Sequence, residues 1–177
     1  MKRLLLLRHA KAEREVPGID DEARALAPRG REDAARIGRF LREEFYVADL
    51  VLCSTALRTR QTLELLLPEL GVRPAVQYLP ELYLARRDTI LSVIRQARDG
   101  ADSLMIVGQS PGLADCAQAL TREPDDRKMR KRYQAMAEKF STGSLAVLDF
   151  EIAQWHGVEA GSGELEIFVR PKDLQEE

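Results

Sequence analysis

Three runs of consecutive apolar residues, at positions 4–7, 50–53 and 104–107, stand out from an otherwise mixed sequence. None alternates with polar residues, so each predicts a strand buried on both faces, as in a parallel sheet. Elsewhere the apolar positions recur every three or four residues. Ala34, Ile37, Leu41 and Phe45 predict an amphipathic helix over 29–45, and Leu63, Leu66 and Leu67 another over 56–67 that Pro68 stops. A third helix is expected over about 88–97, with Gly100 just beyond its end. Met129, Tyr133, Met136 and Phe140 predict a fourth over 125–140, one apolar stripe turned to the core. Towards the end the pattern changes to alternation. Residues 144–150 and 164–170 read as a strand pair, with the Gly-rich stretch 157–163 making a hairpin or an addition to the sheet edge.

Strands that alternate with helices imply right-handed crossovers. The expected fold class is α/β: three layers, a mostly parallel open sheet with helices on both faces, and a C-terminal strand pair. The 177 residues fit one domain, 1–177, with no repeat, low-complexity tract or linker.

Composition removes some function classes. The net charge is −2, so no whole-chain field draws nucleic acid or a membrane surface. The run at 4–7 is too short for a signal peptide or a bilayer span, and Arg8, His9, Lys11 and Glu13 follow at once. Cys53 and Cys116 sit among apolar neighbours, which suggests no disulfide framework and a cytoplasmic home. No cluster has metal-ligand spacing, and no cofactor is implied.

Ligands of an open parallel sheet bind beyond the carboxyl ends of its strands. The first run ends in Arg8-His9. The second ends in Ser54-Thr55 and leads to Arg58 in the next helix. The third ends in Gly108-Gln109-Ser110-Pro111-Gly112. These corners offer a histidine, two arginines, hydroxyls, an amide and helix N-termini at one rim. Guanidinium forks match phosphate oxygens, and helix N-termini add N–H donors. A neutral imidazole can attack phosphorus and form a phosphoenzyme. Arg8, Arg58, Ser54, Gly108 and Gln109 are the candidate substrate-binding residues. His156, beside the Gly-rich stretch, reads as a surface loop residue.

The motifs resemble those of the histidine phosphatase superfamily, also called phosphoglycerate mutase-like. The segments carrying the likeness are 4–13 (with Arg8-His9-Ala10-Lys11), 24–30 (before the first helix), 53–62 (Cys53-Ser54-Thr55-Ala56-Leu57-Arg58) and 107–113. The Ala-Lys after Arg-His, the short chain and the Val169-Arg170-Pro171 ending are similar to SixA-like phosphohistidine phosphatases. The resemblance implies a hydrolase in which His9 is the phosphorylated nucleophile and Arg8 and Arg58 clamp the phosphate. It also makes Glu81 the candidate general acid, since it lies between the second and third motifs.

One position departs from the pattern. The third motif of the family carries a second histidine, and Gln109 stands there. Glutamine donates through its amide but brings no charge and relays no proton. The loss is worth about 2–3 kcal/mol of transition-state stabilisation, or roughly a hundredfold in rate.

The resemblance implies a phosphohistidine-bearing protein or a small phosphorylated molecule as substrate, with no nucleic acid and no membrane as partner. Three readings stay open. One is a slowed phosphohistidine phosphatase. The second is a degenerate domain that binds phosphate or a phosphoprotein without turnover. The third is a small-molecule phosphatase, disfavoured because the chain has little room for a capping insertion. Arg127, Lys128, Arg130, Lys131 and Arg132 crowd the polar side of the fourth helix, either as a solvated face or as a docking patch for an acidic phosphoprotein.

Overall fold

The computed structural model describes residues 1–175. Six strands form one sheet in the order β3-β2-β4-β1-β5-β6. The strands β1 (Lys2–Arg8), β2 (Leu50–Ser54), β3 (Ala75–Leu79) and β4 (Ser103–Gly108) run parallel. The strands β5 (Leu145–Phe150) and β6 (Glu164–Val169) join antiparallel and end at one edge.

The three apolar runs lie in β1, β2 and β4, at the centre of the sheet, and their side chains divide between its faces. Leu4, Leu6, Leu104 and Ile106 pack on one side with α3 (Arg87–Arg95), α4 (Gly112–Leu120) and α5 (Arg127–Glu138). Leu5, Leu7, Met105 and Val107 pack on the other with α1 (Pro28–Glu43) and α2 (Leu57–Leu66). Each fully buried leucine contributes about 1.5–3 kcal/mol. Two helical layers and the strand pair match the architecture expected from sequence. No described helix is long and apolar enough to cross a membrane, and both cysteines are buried and unpaired.

Pro28, with its φ preset for a helix, stands in the first turn of α1. Gly38 lets α1 lie against the end of α2, because a Cβ there would come within 2.6 Å of the Leu66 carbonyl oxygen. The helix ends earlier than its periodicity suggests. Phe45 takes a left-handed φ of 59° and the Tyr46 N–H returns to the Leu41 carbonyl at 2.8 Å. Phe45 therefore stays 87% exposed and is not part of the buried stripe. On α5, Met136 is buried and Met129 and Tyr133 half-buried, as the stripe predicts; the helix ends at Glu138, short of the expected 140, so Phe140 is buried just beyond it. Asp126 caps this helix by accepting from the Met129 N–H at 2.9 Å.

At the end of the sheet away from the chemistry, Lys2 is fixed by the carbonyls of Asp99 and Ala101 and by the Asp102 carboxylate at 3.0 Å. Trp155, wholly buried, donates its indole N–H to the same Ala101 carbonyl. The β5–β6 connection is thus a packed excursion instead of a tight hairpin. His156 next to it is exposed.

Candidate active site

The carboxyl ends of β1, β2 and β4 meet at one rim, and α2 and α4 start there. His9 follows β1, and its N–H extends the ladder to the Gly108 carbonyl at 3.1 Å. From the β5 side, the Gly143 N–H donates to the carbonyls of Arg8 and His9. From α2, Thr62 accepts the Ala10 N–H at 3.0 Å while donating to the Arg58 carbonyl. The backbone around His9 is therefore held from three elements.

The ring of His9 is only 6% exposed, and its Nδ1 lies 2.7 Å from the Ala10 carbonyl oxygen. A carbonyl can only accept, so Nδ1 carries the proton and the lone pair is on Nε2. Burial pulls the imidazole pKa down to about 4; the Ala10 contact opposes this, and Arg58, Arg8 and Arg24 reinforce it. His9 is neutral at ordinary pH, the form that can act as a nucleophile.

Three guanidinium groups act on it. Arg58 is buried, donating Nη1 to the Asp21 carbonyl at 2.8 Å and Nη2 to the Asp21 carboxylate at 3.0 Å. Arg24 donates to Asp21 at 3.1 Å from the other side, and Arg8 donates Nη1 to the Phe140 carbonyl. Tyr83 donates its hydroxyl to Asp21 at 2.6 Å. That bond first, and then Arg58 and Arg24, hold the Asp21 carboxyl down to about 2 against its burial, while burial and then Asp21 push the Tyr83 phenol up to about 12. Burial, then Arg58, lowers the Arg8 guanidinium pKa from its usual value.

Gln109, directly after β4, is buried. Its Oε1 accepts the Leu84 N–H at 2.8 Å and the Ser54 hydroxyl at 3.2 Å. A backbone N–H can only donate, so the amide is fixed with Nε2 as the free donor. Ser54 thus touches Gln109, and Gly108 supplies the carbonyl that holds His9.

Among the described residues, five buried side-chain atoms lack a hydrogen-bond partner: Arg8 Nε, Arg24 Nε, Arg58 Nε, Gln109 Nε2 and Ser110 Oγ. Every one can donate: Arg8 ends β1 next to His9, Arg58 is in the first turn of α2, and Arg24, Gln109 and Ser110 stand on the connecting loops. A buried donor left unmade costs about 1–3 kcal/mol, so five in one place suit an incoming oxyanion. Glu81 stands apart from this network. It is exposed on the turn Pro80–Leu82 and lines a cleft with Leu50, Gln77, Val93 and Gln96.

Comparison with known proteins agrees with this geometry. Residues 4–83 match the family described as histidine phosphatase superfamily (branch 1). An uncharacterised protein of Mycobacterium leprae is 35% identical over 169 residues, covering 94% of this chain and 100% of that one. A structure from Nakamurella multipartitia that bears the provisional name phosphohistidine phosphatase SixA superposes with a TM-score of 0.81, at 30% identity over 96% of both chains. The similarly named Agrobacterium tumefaciens structure gives 0.78 at 32% identity, over 96% of this chain and 98% of that one. The chain belongs to the histidine phosphatase superfamily, in its SixA-like branch.

Several members of this SixA-like network escape a reading from sequence. Asp21 and Tyr83 are ordinary loop residues until the fold brings the 20–25 and 80–84 segments against Arg58. Arg24 is visible only inside a longer resembling segment. Thr62 is one turn beyond Arg58 on α2, and the N–H it accepts lies 52 residues away. The acidic run Asp20-Asp21-Glu22 just before Arg24 is a local charge pattern that could have flagged Asp21.

Proposed function

We propose that the chain is a phosphohistidine phosphatase working through phospho-His9, slowed by Gln109. The observation that carries this reading is the group of five unpartnered donors round a neutral, buried His9. In the first step Nε2 of His9 bonds to phosphorus, the P–N bond to the substrate imidazole breaks, and the leaving nitrogen takes a proton from solvent water. In the second, water attacks phospho-His9, releasing inorganic phosphate and restoring neutral His9. Arg8, Arg58 and Arg24 offset the charge on the equatorial oxygens in both steps, and Gln109 adds an uncharged donor. A phosphoramidate bond is labile, so the reading asks less of a general acid such as Glu81 than an alkoxide leaving group would. The SixA names of the two similar structures support the same substrate class.

A second reading rests on Gln109 alone. A pocket that keeps its guanidinium groups but lacks the second histidine can bind a phosphoryl group without turning it over. Turnover of a small phosphoramidate separates the two. Under the first reading the native protein releases phosphate, His9→Ala abolishes this, and Gln109→His speeds it by about a hundredfold. Tight phosphate binding with no turnover by the native chain sinks the first reading and leaves the second.

A further inference from the structure

A cleft of about 300 Å3 opens beside the rim, lined by Lys11, Arg29, Lys139, Arg170 and Lys172, with Ser141 and Thr142 on its wall. We propose that this cationic cleft holds carboxylate side chains of the protein that presents its phosphohistidine to His9. The inference rests on the phosphohistidine reading above and adds how the substrate is chosen.

The charge balance comes first. The whole chain carries −2, yet five cationic residues gather here around one acid. That acid, Asp33, is buried and already paired with Arg36 at 2.9 Å. Arg170 is partly engaged by Asp173 at 3.4 Å. Lys11, Arg29, Lys139 and Lys172 make no ion pair with any described residue. The first turn of α1, which carries Arg29, adds the positive end of its dipole.

The cleft also shares walls with the candidate active site. Lys11 is two residues beyond His9, so their Cα atoms are at most about 7 Å apart. The 139–142 segment runs through Phe140, whose carbonyl takes Arg8 Nη1, and into Gly143, whose N–H holds the carbonyls of Arg8 and His9. The cleft therefore adjoins the candidate active site through Lys11 and the 139–142 segment.

The two sites differ in kind, and the difference selects the occupant. Around His9 the donors are buried and fixed, as a caged phosphate requires. Around the cleft Lys11, Arg29, Lys139 and Lys172 are exposed arms, spread over several elements. Such arms suit carboxylates distributed over an acidic protein surface. Each exposed pair is worth about 0–1 kcal/mol, so the effect is cumulative and sensitive to salt.

The test uses two peptides that carry a non-hydrolysable phosphoryl-triazole mimic of phosphohistidine, one flanked by Glu and the other by Gln. Their binding to the native chain and to Lys139→Glu/Lys172→Glu is read by fluorescence anisotropy at low and high salt. The native chain is expected to prefer the Glu peptide. The double variant should weaken that peptide at least tenfold at low salt, with little change for the Gln peptide or for phosphoramidate turnover. Lys139→Gln/Lys172→Gln should move affinity in the same direction by less. Equal binding of the two peptides, binding of neither, or equal weakening of both by the variant overturns the proposal. Absence of phosphoramidate turnover by the native chain counts against the phosphatase reading alone, because the peptide comparison needs no chemistry.

Discussion

A histidine surrounded by arginines keeps a free lone pair only if it resists protonation, and burial of His9 supplies that resistance. With its pKa at about 4, His9 stays neutral well below the usual 6.5 of an imidazole. The rate of His9 phosphorylation, corrected for titration of the donor, is expected to stay level down to about pH 5 and to be half lost near pH 4. A loss centred near 6.5 would contradict a buried neutral ring. Stability follows the same equilibrium. Between pH 6.5 and 4 the unfolded chain holds a proton on this residue that the folded chain does not, so stability falls as pH drops through that window. His9→Gln should flatten that part of the profile in urea titrations. Gln109 answers to a different constraint. The Leu84 N–H and the Ser54 hydroxyl hold its oxygen, which leaves the amide nitrogen as a neutral donor where the family motif has a chargeable ring.

Among the elements, the segment from Glu13 to Ala25 decides how Arg58 is presented. Asp21 binds both terminal nitrogens of that guanidinium and leaves Nε as its free donor. Asp21→Asn removes the carboxylate from a buried cation, and a loss of about 1–3 kcal/mol in chemical denaturation is expected. Activity should drop as well, because the guanidinium is no longer oriented. Unchanged stability would mean that solvent replaces Asp21 at no cost. This network marks where legibility from sequence stops. The apolar runs announced β1, β2 and β4, and the residues ending them announced His9, Arg8, Arg58 and Gln109, because strand periodicity and the position of ligands beyond strand ends are local signals. The edge strand β3 was invisible, since Ala75–Leu79 is largely exposed and carries no clear alternation. Phe45 misled by spacing alone: the helix stops at Glu43, and the left-handed residue turns its ring to solvent. Contacts between loops far apart in sequence, such as Asp21 with Arg58 and Tyr83, have no periodic signature.

Across the molecule, one sheet separates two apolar layers that it also couples. Neighbouring residues of β1 point to opposite layers, Leu6 towards α3, α4 and α5, and Leu5 towards α1 and α2. Leu5→Ala and Leu6→Ala are each expected to cost about 2–5 kcal/mol. Both should lower the same thermal transition by circular dichroism. Two transitions responding separately would show that the layers unfold as independent units. At the rim, β1 is paired on both sides, by β4 and β5, and this ladder fixes the strand end that carries Arg8 and leads into His9.

The central claim, a phosphoryl group passing through His9, is tested most directly by exposing the native protein to a small phosphoramidate and mapping the adduct by mass spectrometry under alkaline conditions. An acid-labile phosphoryl group on His9 is expected, absent from His9→Ala and turned over faster in Gln109→His. A protein that releases phosphate while His9 is never modified, or that carries the adduct on another residue, would contradict it.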